Sequence, residues 1–86
     1  MTAPRDVTWS IVKEHVTVRW RHQHKNEPLR YYFVSVREVL KGRKLNTPKF
    51  VRVKRGVRVA SIRGLKPRSL YEIKVKTLHD SHYTLV

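Results

Sequence analysis

Ala60-Ser61-Ile62-Arg63-Gly64-Leu65-Lys66-Pro67-Arg68-Ser69-Leu70-Tyr71-Glu72-Ile73-Lys74-Val75-Lys76 holds two runs in which every second residue is apolar. Ala60 and Ile62 form the first, and Tyr71, Ile73 and Val75 the second. A period of two is the mark of a strand with one buried and one solvated face. Between the runs, Gly64-Leu65-Lys66-Pro67 breaks the pattern with a residue that tolerates a left-handed backbone and one that cannot donate to a ladder. The stretch therefore reads as strand, turn, strand. The same alternation recurs upstream in Val16-Thr17-Val18-Arg19-Trp20 and at Tyr32, Val34 and Val36. β-Branched and aromatic residues dominate these runs, and no stretch of helical length sustains a 3.6-residue period. The chain reads as all-β.

Further breakers fall at Asn26-Glu27-Pro28, Lys41-Gly42-Arg43, Asn46-Thr47-Pro48, Lys54-Arg55-Gly56 and His79-Asp80-Ser81-His82. They divide the chain into about seven strands, near 6–11, 14–21, 29–39, 49–54, 57–63, 70–78 and 82–86, a spacing that suits a seven-stranded Greek-key β-sandwich. With 86 residues and no cysteine, there is room for one small core and no disulfide, thiolate metal site or thiol nucleophile to support it. No apolar run approaches the roughly 18 residues of a membrane span, and the first residues lack the pattern of a signal peptide. The chain is expected neither to cross nor to enter a membrane.

The 60–76 segment resembles the E strand, EF turn and F strand of a fibronectin type III domain. Gly64, Leu65, Pro67, Tyr71, Ile73 and Val75 fall on the family pattern I-x-G-L-x-P-x-x-x-Y-x-V-x-V. Pro4-Arg5-Asp6-Val7 is similar to the opening strand, Trp20 to the B-strand tryptophan, Arg30-Tyr31-Tyr32 with Val34 and Val36 to the C strand, and Pro48-Lys49-Phe50 to the C′ strand. The resemblance implies sheets A-B-E and C′-C-F-G, a single domain over residues 1–86 cut from a longer protein, and an extracellular setting. It implies core roles for Trp20, Tyr32, Leu65 and Tyr71. Physically, the Tyr71 ring would fill core space while its hydroxyl ties down the loop before it, as in a tyrosine corner.

Catalysis finds little support. The six acids, Asp6, Glu14, Glu27, Glu38, Glu72 and Asp80, stand singly among cations, and acid-base or nucleophilic work needs paired groups. Each reads as an ion-pair partner. No glycine-rich phosphate loop is present, and no cofactor is expected. Charge is the stronger signal: 20 Lys and Arg against 6 Asp and Glu give a net +14. Eleven of those cations lie between Lys41 and Arg68, and no acid interrupts residues 39 to 71. A block of like charge costs self-repulsion and attracts polyanions by counterion release.

The candidate polyanion site is therefore Arg52, Lys54, Arg55 and Arg58, helped by Lys41, Arg43 and Lys44. The family resemblance favours a sulfated glycosaminoglycan, heparin-like, and hence a non-catalytic adhesion or matrix module. No Arg-Gly-Asp triplet is present. The alternatives are a protein-interaction module using an exposed strand face (Tyr31, Phe33, Val59) or an unfinished sheet edge, and non-specific nucleic-acid binding, with Tyr31 and Phe33 stacking on bases. His22, His24, His79 and His82 flank turns at one end of the expected sandwich and form a weaker metal candidate with Asp80. No metal is expected.

Overall fold

A computed structural model describes residues 3–23, 28–40, 43–44 and 48–79. The strands are β1 (Arg5–Val12), β2 (His15–Arg21), β3 (Leu29–Leu40), β4 (Arg43–Lys44), β5 (Lys49–Lys54), β6 (Val59–Arg63) and β7 (Leu70–His79). All pairings are antiparallel. One sheet runs β1-β2-β6; in the other, β3 is central, with β7 on one edge and β5 and the short β4 on the other. Among the described residues no helix is long and apolar enough to cross a membrane.

The alternation seen in the sequence becomes the core. Val16, Val18 and Trp20 of β2, Ala60 and Ile62 of β6, and Leu29, Tyr32, Val34 and Val36 of β3 are buried together, with Leu65 of the β6–β7 turn. Val51 and Val53 of β5 and Tyr71, Ile73 and Val75 of β7 pack against them, partly exposed. Register explains the layering. Val16 opposes Ile62 and Val18 opposes Ala60, while Val34 stands between Val51 and Val75, so apolar residues meet in cross-strand pairs on the inner faces.

The β6–β7 turn is fixed at three points. Leu65 N–H donates to the Glu14 carbonyl (2.9 Å), and Lys66 N–H donates to the Tyr71 hydroxyl (2.7 Å). Glu38, inward-facing at the end of β3, accepts from Ser69 Oγ (3.0 Å) and pairs with Lys66 Nζ (3.6 Å). Gly64 has φ +86, a left-handed backbone that favours glycine.

Several details differ from the sequence expectation. β4 falls where only a turn was expected, because β3 runs on to Leu40 and pairs Val39 with Lys44 and Leu40 with Arg43. β6 begins at Val59 rather than 57, since Val57 N–H closes the preceding turn onto the Lys54 carbonyl (3.1 Å) with Gly56 at φ +91. β1 carries an irregularity between Arg5 and Thr8, with Asp6 at φ 53. The strand expected over 82–86 lies outside the described residues. Trp9 and Ile11 oppose Val18 and Val16 and so share the inner face, yet they are 56% and 50% exposed.

Replacing Tyr71 by Phe removes one hydrogen bond and little apolar area, so urea denaturation should report a loss of about 1 kcal/mol with an unchanged m value. A loss below a few tenths would mean that the hydroxyl does not hold the turn.

Candidate binding face

Strand parity decides where each cation stands. On β3, burial of Tyr32, Val34 and Val36 sends Tyr31, Phe33, Ser35 and Arg37 to the outer face. Lys54 and Leu78 flank Tyr31, Arg52 and Lys76 flank Phe33, and Phe50 and Lys74 flank Ser35. The result is an aromatic pair on β3, Tyr31 and Phe33, with Phe50, Arg52 and Lys54 in the β5 row on one side and Lys74 and Lys76 of β7 on the other. Phe50 is 64% exposed and meets Phe33 edge-on, with centroids 6.0 Å apart. The Arg52 guanidinium lies 4.8 Å from the Tyr31 ring centre, and that of Arg30 5.9 Å, a cation–π arrangement that holds the charge over that ring. Glu72, opposite Arg37 and 3.5 Å from Lys74, closes the far end.

The sequence-defined cation block does not stay together. Arg52 and Lys54 reach the aromatic face. Arg55 sits in the β5–β6 turn, where its N–H donates to the Arg30 carbonyl (3.3 Å). Arg58 turns toward the core: Nη2 donates to the His22 carbonyl (2.8 Å), Nη1 to the Val57 carbonyl (3.0 Å), and the guanidinium lies 5.1 Å from the centre of the buried Tyr32 ring. Arg63 projects from the outer face of the other sheet, and Lys66 is paired with Glu38. Of Arg43 and Lys44 only the strand pairing is described, and Lys41 lies outside the described residues.

Lys74, Lys76 and Phe50 were missed by the sequence reading. Their signal was available in the alternation Ile73-Lys74-Val75-Lys76, which puts both lysines outward, but nothing local says that β7 pairs beside Phe33. Val59 has to be removed from the exposed-face group. It pairs with Arg19 on the outer side of the β1-β2-β6 sheet, opposite Tyr31 and Phe33.

The histidines also separate. His22 is buried and its Nδ1 shares a 2.7 Å hydrogen bond with the Tyr32 hydroxyl. His79 ends β7 across from Leu29, and His24, Asp80 and His82 lie outside the described residues. Among the described residues no group of three or more His, Cys, Asp or Glu is placed to hold a metal.

With two antiparallel sheets, a buried Trp20 and the Tyr71 corner in place, the family comparison is decisive: the model of the fibronectin type III domain matches residues 2–85. The chain belongs to the fibronectin type III family. Domains of this family serve as protein-interaction or adhesion modules, are generally non-catalytic and are often extracellular. No curated protein matches the chain.

In this fibronectin type III domain Arg58 is a structural pin. Arg58→Ala should cost about 2 kcal/mol in chemical denaturation, from two charge-assisted hydrogen bonds and one cation–π contact. An exposed, uncommitted arginine would instead show a change within about 0.5 kcal/mol.

Proposed function

We propose that this domain is a non-catalytic extracellular adhesion or matrix module that binds a sulfated glycosaminoglycan along the outer face of the sheet built on β3. The observation that carries the reading is Tyr31 and Phe33 standing between Arg52 with Lys54 on β5 and Lys74 with Lys76 on β7, with Phe50 of the β5 row set edge-on against Phe33. A sulfated sugar chain presents C–H faces in the middle and anionic groups at the edges, which matches an aromatic centre with cationic margins. Each charge contact is weak and screened by salt, but several in line along one chain release counterions together. Arg52, resting on Tyr31, is already held over the aromatic pair, so less side-chain entropy is lost on binding. Lys54 extends the same margin, and Arg55 in the adjoining turn lies next to it in sequence.

A protein partner would use the same face differently, burying Phe50 as an anchor and leaving the lysines as a polar rim. Such binding would respond weakly to salt. Single-stranded nucleic acid would stack on Tyr31 and Phe33.

Heparin affinity chromatography with a salt gradient tests the proposal. The triple variant R52Q/K74Q/K76Q should elute at clearly lower salt than the parent, and the slope of log K against log salt should fall by about two. The triple variant K13Q/R63Q/R68Q, which removes the same charge elsewhere, should elute close to the parent. Equal losses in the two variants would reduce the face to general basicity. Stronger retention on single-stranded DNA than on heparin would favour the nucleic-acid alternative.

A further inference from the structure

We infer that the Arg55–Gly56 peptide bond is a processing site for a paired-basic serine endoprotease of the convertase type, and that cleavage there leaves a two-chain domain. The inference goes beyond the glycan reading and does not depend on it.

The sequence across the bond is Arg52-Val53-Lys54-Arg55 followed by Gly56. The chain has two pairs of adjacent basic residues, Arg43-Lys44 and Lys54-Arg55, and only the second has a further arginine two residues before it. A protease that selects this spacing does so with acidic subsites, where each cationic side chain makes charge-assisted hydrogen bonds. A protein of net charge +14 is steered toward such a cleft.

The fold presents the motif to solvent. Arg52, Lys54, Arg55 and Gly56 are exposed, while Val53 packs against the core. Among the described residues β5 pairs with β3 alone, so one backbone edge from Arg52 to Lys54 is open to strand-like contact with a protease cleft. The scissile bond lies in the turn that follows. There Val57 N–H donates to the Lys54 carbonyl (3.1 Å) with Gly56 at φ +91, as in a β-turn whose third residue is left-handed. A Cβ built at Gly56 would meet no atom within 4 Å, so the space beside the bond is open. To reach the extended form that a protease accepts, the turn gives up that hydrogen bond and the 3.3 Å one from Arg55 N–H to the Arg30 carbonyl, and Arg52 leaves the Tyr31 ring. All of these contacts are at the surface, so the turn can open without global unfolding.

Cleavage consumes one water. Its oxygen goes to the Arg55 carbonyl carbon as the C–N bond breaks, giving a carboxylate, and its two protons go to the Gly56 nitrogen, giving an ammonium group. The cut separates β1–β5 from β6 and β7. Both fragments stay bound, because β6 remains paired with β2 and β7 with β3, and Arg58 of the second fragment still reaches the His22 carbonyl and the Tyr32 ring of the first.

The test is limited digestion of the folded domain with a purified convertase specific for Arg-x-Lys-Arg, beside trypsin, which needs only the residue before the bond to be basic. Mass spectrometry should find one convertase cut, giving fragments 1–55 and 56–86. R52Q should slow that cut by about ten- to a hundredfold and leave trypsin cleavage at the same bond unchanged. V75A, which loosens the core away from the turn, should leave the convertase rate unchanged. A rate that instead rises in step with the V75A unfolding constant would show that only the unfolded chain is cut, and would overturn the site. So would a first cut at another bond, equal slowing of both proteases by R52Q, or an intact domain under conditions that cleave a synthetic peptide of residues 49–60. The nicked protein should elute from size exclusion as one species and separate only in denaturant. Fragments that part in native buffer would overturn the two-chain product.

Discussion

Tyr32 joins the two sheets, and the rest of the structure is arranged around that contact. Its ring, near the start of β3, is fully buried, 5.3 Å from the Trp20 ring of the opposite sheet in an edge-on arrangement, and its hydroxyl is bonded to His22. Arg58 covers the same ring and reaches the His22 carbonyl. Strand β2, the segment after it, the β5–β6 turn and β3 are thereby tied at one end of the sandwich. Side chains alternate with period two, so fixing Tyr32 inward also fixes Tyr31 and Phe33 outward. A slip of one residue would reverse both faces at once.

That phase sorts the charge. Cations adjacent in sequence are sent to different places: Arg52 and Lys54 to the aromatic face, Arg58 into the seam between sheets, Arg63 to the far side. Cations remote in sequence are brought together, as Lys76 and Arg52 are across Phe33, and Arg5 and Arg21 across the β1–β2 pair. The net charge of +14 is thus divided over both outer faces and the seam between them. Self-repulsion of this kind is relieved by bound anions and by salt, which links the stability of the domain to what it binds.

Much of the fold was legible because its determinants are local. Alternation named the strands, Gly64 and Pro67 marked the turn, and Tyr71 was read as the residue that ties it, as the 2.7 Å bond to Lys66 N–H bears out. Trp20, Tyr32 and Leu65 are buried as expected. The face was only half legible for a different physical reason. Parity can be read from one strand, and it placed Arg52 and Lys54 on one side. Which strands lie next to each other cannot be read that way, so Lys74, Lys76 and Phe50 were missed and Val59 was grouped with residues of the opposite sheet. Arg58 misled because a guanidinium can serve a buried aromatic ring as well as solvent.

The central claim is that strand parity, and not the density of basic residues along the chain, determines where polyanions bind. The most direct measurement is a map of amide chemical-shift changes in the isotope-labelled domain titrated with a heparin-derived octasaccharide. Large changes are predicted at Tyr31, Phe33, Arg52, Lys74 and Lys76, with Arg63 and Arg68 little affected. Changes that follow the basic block from Arg52 through Arg68 regardless of face, or that spread evenly over every exposed cation, would contradict it.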